Sequence, residues 1–155
     1  MSRLENLEPK EVFHYFEEIS QIPRPSYKEG KISDYLVKFA QDRNLTVYQD
    51  EIKNVVIIKE ATKGYENVEP IIIQGHMDMA CEKEPGYDID MEKEGLTLQV
   101  EGDYLSAKGT TLGGDDGIAV AYALAILDSD KIEHPRLEVI ITVCEEVGMD
   151  GATAL

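Results

Sequence analysis

Pro70-Ile71-Ile72-Ile73-Gln74-Gly75-His76-Met77-Asp78 is the stretch on which the fold turns. Its apolar run is short and rich in β-branched residues, which favours a strand over a helix. Being apolar on both faces, it reads as a buried central strand. Leu137 to Cys144 has the same character and predicts a second buried strand.

Upstream, Val12, Phe13, Phe16 and Ile19 recur at helical spacing between Pro9 and Ser20, and Pro9 suits a first helical turn. The turn Ile22-Pro23-Arg24-Pro25-Ser26 ends that helix. A second helix is predicted from Tyr27 to Arg43, with Ile32, Tyr35, Leu36 and Phe39 on one face and Asn44 as its stop. Leu45 to Gln49 and Asn54 to Lys59 read as strands, and Lys63 to Asn67 as a turn. Downstream, Thr97 to Val100 and Tyr104 to Ala107 flank Gly102-Asp103, a hairpin signature. Asp116 to Leu127 is apolar nearly all round, so a helix there should be buried beneath the sheet. The expected fold is α/β, with helices packed on a mixed, largely parallel sheet, and ligands in such folds gather beyond the carboxyl ends of the strands.

Composition narrows the function classes. Residues 1–155 are 43% hydrophobic and 30% charged, the balance of one globular domain or part of a larger one. Fifteen basic against thirty-one acidic residues leave a net charge of −16, so a phosphate backbone is repelled and nucleic acid is not an expected partner. No apolar stretch is long enough to span a membrane, and the start Met1-Ser2-Arg3-Leu4-Glu5 lacks the basic, apolar plan of an export signal. Cys81 and Cys144 are then expected as free thiols in a reducing cytoplasm, filling space in the core.

Three strand or loop ends hold the chemistry-bearing residues. His76 leaves an apolar strand, where it either serves structure or binds a metal, and Asp78 is placed to hold its other ring nitrogen. Asp115 and Asp116 sit side by side in the glycine-rich loop 109–117 at the head of a helix. A helix cap accounts for Asp116, but adjacent carboxylates repel unless a cation or donors compensate. The loop lacks the Gly-Lys-Ser/Thr ending of a phosphate cradle. Glu145 and Glu146 follow the second buried strand and point in different directions, so one can bind metal while the other handles a proton, unless both belong to a solvated loop. Histidine and carboxylates without cysteine suit zinc or another divalent ion in a catalytic role. The acidic run Asp88 to Gly95 departs from a calcium loop, because its glycine falls too late.

With these motifs in order, Gly75-His76-Met77-Asp78-Met79-Ala80-Cys81-Glu82-Lys83, the loop 109–119 and Cys144-Glu145-Glu146-Val147-Gly148, the sequence resembles the co-catalytic zinc peptidase family. That family includes aminotripeptidase, aminoacylase and glutamate carboxypeptidase, and the detailed likeness is to the bacterial aminoacyl-histidine dipeptidases. The resemblance implies a cytoplasmic hydrolase of Xaa-His dipeptides holding two divalent ions, zinc first, with cobalt or manganese as alternatives. By motif, His76 would bind one ion, Asp115 bridge both and Glu146 bind the other, while Asp78 orients His76 and Glu145 acts as general base. A cis peptide is expected between Asp115 and Asp116. Family members supply a further Asp, a distal His and a lid or dimerisation domain beyond the third motif. Residues 1–155 are therefore expected to be the N-terminal portion of a catalytic domain, incomplete and inactive alone, from a protein that forms a homodimer. His14 and His134 are expected to be surface or structural. An aminotripeptidase, a deacylase or a non-catalytic metal-binding fragment are the competing readings. All the leading assignments require His76, Asp115 and Glu146 to converge at the carboxyl edge of the sheet.

Overall fold

The computed structural model describes residues 4–155. Its elements run α1 (Lys10–Ser20), α2 (Gly30–Asp42), β1 (Thr46–Gln49), β2 (Val55–Lys59), β3 (Ile71–His76), β4 (Leu98–Glu101), β5 (Tyr104–Ala107), α3 (Gly114–Asp128), β6 (Leu137–Thr142) and α4 (Asp150–Ala154). The expected helices and strands are all present with small shifts at their ends, and α4 is additional. The α/β class stands, with helices on a mixed sheet of order β1-β2-β6-β3 and a separate β4-β5 hairpin. Within the sheet the parallel character is confined to β3 and β6, because β1-β2 and β2-β6 are antiparallel.

Period-two alternation explains how the sheet is covered. Val55, Ile57, Leu137, Val139 and Ile141 are buried on one face, and the register puts Ile71, Ile73 and Gly75 of β3 on that same face. α2 packs against β1 and β2, while α3 packs against β3 and against α1. Phe16 and Ile19 of α1, Ile32 and Leu36 of α2, and Val120 and Leu124 of α3 join Val55, Ile57, Val139 and Ile141 in one core, with Ile73 packed against it. The opposite face bears Val56, Ile58, Glu138 and Ile140, all half-buried, with Tyr48 and Ile72 exposed.

Two sequence expectations change here. β3 is an edge strand, and Ile72 on its outer face is 61% exposed. A continuous apolar run records that a strand can be buried on both faces, not that both faces are covered within the same segment. α3 is likewise buried along most of its length but leaves Ile118 and Tyr122 exposed.

The asymmetry gives a stability test on the 155-residue chain. Phe16 packs against Gly117 at the α1–α3 contact and is 1% exposed, whereas Ile72 faces outward. Phe16→Ala should cost about 3–5 kcal/mol, and Ile72→Thr less than about 0.5 kcal/mol, in urea unfolding. Comparable losses would show that the outer face of the sheet is covered.

Candidate metal centre

Parallel pairing brings two of the three motifs to one edge. His76 is registered with Thr142, and the Met77 N–H donates to the Thr142 carbonyl at 2.8 Å, so both strands release their chains at the same level. Beyond that level, the chain after β3 turns so that Asp78 is fully buried. Asp78 Oδ1 accepts the Glu145 N–H at 3.0 Å, and Oδ2 accepts the Glu146 N–H at 3.3 Å and the Ser26 hydroxyl at 2.7 Å. One carboxylate thus fixes the backbone from which both glutamates project. Ser26 had no signature in the sequence beyond that of a turn residue, since its role depends on a partner distant along the chain.

The second motif enters from α3. Its backbone becomes regularly helical only after Asp116, and the Asp115–Asp116 peptide is cis, as the family resemblance implied. Asp116 accepts the His76 N–H at 3.3 Å, and the Ala119 N–H of the first helical turn favours its carboxylate. Asp115 is left pointing outward, its side chain 85% exposed, with Oδ1 3.0 Å from His76 Nε2.

The imidazole is oriented from behind. His76 Nδ1 lies 3.1 Å from the Asp78 carbonyl oxygen and 3.4 Å from Asp78 Oδ1. Both are acceptors, so Nδ1 carries a proton; Nε2 donates to Asp115 when the ring is charged and presents its lone pair towards the acids when the ring is neutral. Glu145 Oε2 is 3.6 Å from Nε2. Donor atoms of His76, Asp115 and Glu146 all lie within 4.8 Å of one another. The structure therefore brings together every residue singled out at the three strand and loop ends.

Charge follows from this geometry. Burial disfavours the His76 imidazolium, but hydrogen bonds to Asp78 and Asp115 and the charges of Asp78 and Glu145 outweigh it and push the pKa up to about 9. Burial also opposes the Asp78 carboxylate, yet His76, the Glu145 and Glu146 N–H groups and the Ser26 hydroxyl hold it down at about 2. Burial raises Asp116. The acids thus gather around a single imidazole whose charged form they stabilise, and a metal ion would take the place of the Nε2 proton. A nitrogen ligand with hard oxygen ligands, the two carboxylates exposed, fits a divalent metal ion.

The other histidines are elsewhere in the fold. His14 is exposed on α1, 3.9 Å from Glu18. His134 is buried, with Nδ1 2.7 Å from the Pro135 carbonyl oxygen, a structural placement. Both cysteines are free. No helix among the described residues is long and apolar enough to cross a membrane.

Comparison with known proteins agrees with the motifs. The cytosol non-specific dipeptidase of Escherichia coli is 40% identical over 155 residues, which is 100% of this chain and 32% of that protein. The crystal structure of aminoacylhistidine dipeptidase from Vibrio alginolyticus matches with a TM-score of 0.96 at 38% identity, covering 99% of this chain and 31% of that one. The chain is similar to these peptidases along its whole length. It spans about a third of theirs. A tripeptidase from Staphylococcus aureus matches less well, with a TM-score of 0.75 at 26% identity over 94% of this chain and 39% of that one. No family model matches.

Asp78 provides the test of this geometry. Asp78→Ala leaves three donors without their acceptor and should cost about 3–5 kcal/mol, against about 1 kcal/mol for Ser26→Ala. Urea unfolding in the presence of a chelator measures both, and a near-neutral Asp78→Ala would mean that the two glutamates are held by other contacts.

Proposed function

We propose that the chain is the N-terminal portion of the catalytic domain of a two-zinc peptidase that hydrolyses Xaa-His dipeptides in the cytoplasm. The observation that carries this reading is the convergence of His76, Asp115 and Glu146 donor atoms within 4.8 Å, in a chain similar throughout to dipeptidases. His76 would hold one ion, Asp115 would be shared, and Glu146 would hold the other. Bound there, the ions would supply Lewis acidity and lower the pKa of water. Glu145, beside His76 and partly exposed, takes the proton from the attacking water and returns it to the leaving amine as the peptide C–N bond breaks. Asp78 keeps the imidazole in the tautomer that leaves Nε2 free.

One histidine and two ligand carboxylates are a sparse set for two ions. The rest of the ligands, a lid or dimerisation domain and a homodimer contact would come from the remainder of the longer protein. The higher similarity to the dipeptidases than to the tripeptidase favours a dipeptide over a tripeptide substrate.

Glu145→Gln in the full-length protein should lower kcat by about 10²–10⁴-fold while zinc content stays at the wild-type level. Loss of zinc instead would make Glu145 a ligand and move the base elsewhere. The 155-residue chain supplied with zinc, cobalt or manganese should show no appreciable turnover of an Xaa-His dipeptide. Activity per molecule equal to that of the full-length protein would show that the ligand set is already complete.

A further inference from the structure

The connection between α1 and α2 touches all three motifs. Arg24 is 1% exposed. Its Nη1 donates to the Met77 carbonyl at 3.0 Å and the Asp78 carbonyl at 3.4 Å, and its Nη2 donates to the Gly113 carbonyl at 2.7 Å. The guanidinium therefore joins the turn after His76 to the turn before Asp115. The main chain reinforces the first attachment, since the Met79 N–H donates to the Arg24 carbonyl at 3.1 Å. A few residues on, Glu29 is buried and its Oε1 accepts the Cys144 N–H at 3.0 Å and the Cys144 thiol at 3.2 Å. Cys144 has a φ of 53°, a left-handed backbone in a residue other than glycine, immediately before Glu145 and Glu146.

Arginine is a costly choice for this position. A buried guanidinium loses several kcal/mol of solvation, burial draws its pKa down to about 10 against the opposing charges of Cys81, Asp78 and Asp116, and Nε has no hydrogen-bond partner among the described residues. A long apolar side chain would fill the same space without those costs. Only the planar fork reaches carbonyls on two separate turns. The neighbouring glycines fit this role, because a Cβ at Gly113 or at Gly117 would stand 2.6 Å from Nη2. Gly113 also has a φ of +66°, which suits glycine independently.

We propose that Arg24 and Glu29 are positioning residues of the metal centre: Arg24 sets the spacing between His76 and Asp115, and Glu29 sets the direction in which Glu145 and Glu146 leave β6. This rests on the metal-centre reading above. Neither residue touches the reacting atoms. Each acts on the backbone that carries a ligand.

The test is cobalt binding to the full-length protein, followed by calorimetry and by the visible absorption of the bound ion, with chelated samples unfolded in parallel. Arg24→Met and Arg24→Lys should both weaken cobalt binding by about 10–100-fold and alter the absorption spectrum, since lysine keeps the charge but cannot span the two turns. Glu29→Ala should act in the same direction, and Glu29→Gln, which keeps a carbonyl acceptor for the Cys144 N–H, should restore most of the affinity. Variants that unfold earlier but bind cobalt with the wild-type affinity and spectrum would overturn the proposal by making both residues structural only. If Arg24→Met fails to fold, the Glu29→Ala and Glu29→Gln pair decides by the same criterion. His76→Ala separates the two levels of inference. Wild-type cobalt binding in that variant overturns the metal centre and this proposal with it, whereas loss of cobalt in His76→Ala alone overturns only the positioning roles.

Discussion

The parallel pairing of β3 with β6 is the constraint on which the site depends. Its register puts His76 opposite Thr142, so the chain leaving each strand begins its turn at the same height. Side chains alternate along a strand with period two, and a slip of one residue would send His76 to the other face of the sheet and Ile73 out of the core. The core therefore fixes the site's register: Ile73 beside Val139 and Gly75 beside Ile141 are positions where only one alignment buries the apolar set. The hydrophobic effect selects the alignment, and the histidine is carried along by it.

Once the strand ends are adjacent, the polar contacts settle direction. Asp78 is the most buried acid of the site and connects the turn after β3 to the turn after β6 through the Glu145 and Glu146 N–H groups. Its negative charge is tolerated inside because donors surround it, and the same charge holds the imidazole. Asp116 does the equivalent for α3, joining the start of the helix to the end of β3 by accepting the His76 N–H. Each pair of acids thus divides its work: Asp116 is bound inward by the backbone while its neighbour Asp115 points out, and the buried Asp78 anchors two glutamates that remain partly or largely exposed. The outward carboxylates share one imidazole nitrogen, His76 Nε2, and a cation seated among these donors is the natural complement to the geometry.

Local chemistry explains how much of this could be read from the chain. The strands and helices were legible because their apolar periodicities are local, and the three motifs because each stands directly at an element's end. The position of β3 at an edge was not legible: Ile71, Ile72 and Ile73 carry the same information whether one face or two are covered within the segment. Arg24 was also hidden. In the sequence it is a charged residue between two prolines in a turn, which ordinarily predicts solvent, and its partners Met77, Asp78 and Gly113 are remote along the chain. The glycines at 113 and 117 were read as part of a loop, although their lack of side chains is what admits the guanidinium.

Stability and chemistry are placed at different ends of the same elements. α2 and α3 bury their apolar faces along the sheet and α1 packs on α3, so that Phe16, Leu36, Val120 and Leu124 make one continuous core without contribution from the acids. The carboxyl edge can then hold groups that do little for folding on their own, including a fully buried aspartate and a guanidinium whose Nε has no partner among the described residues. Polar groups of this kind are worth their desolvation only if all their partners are placed by something else, since a half-satisfied network costs more than an apolar one. Here most of the partners are main-chain groups at the ends of core-anchored elements, whose positions the packing has already determined. The α1–α2 connection joins those ends to one another, so its buried side chains convert the rigidity of the core into fixed spacing among the His76, Asp115 and Glu146 donors.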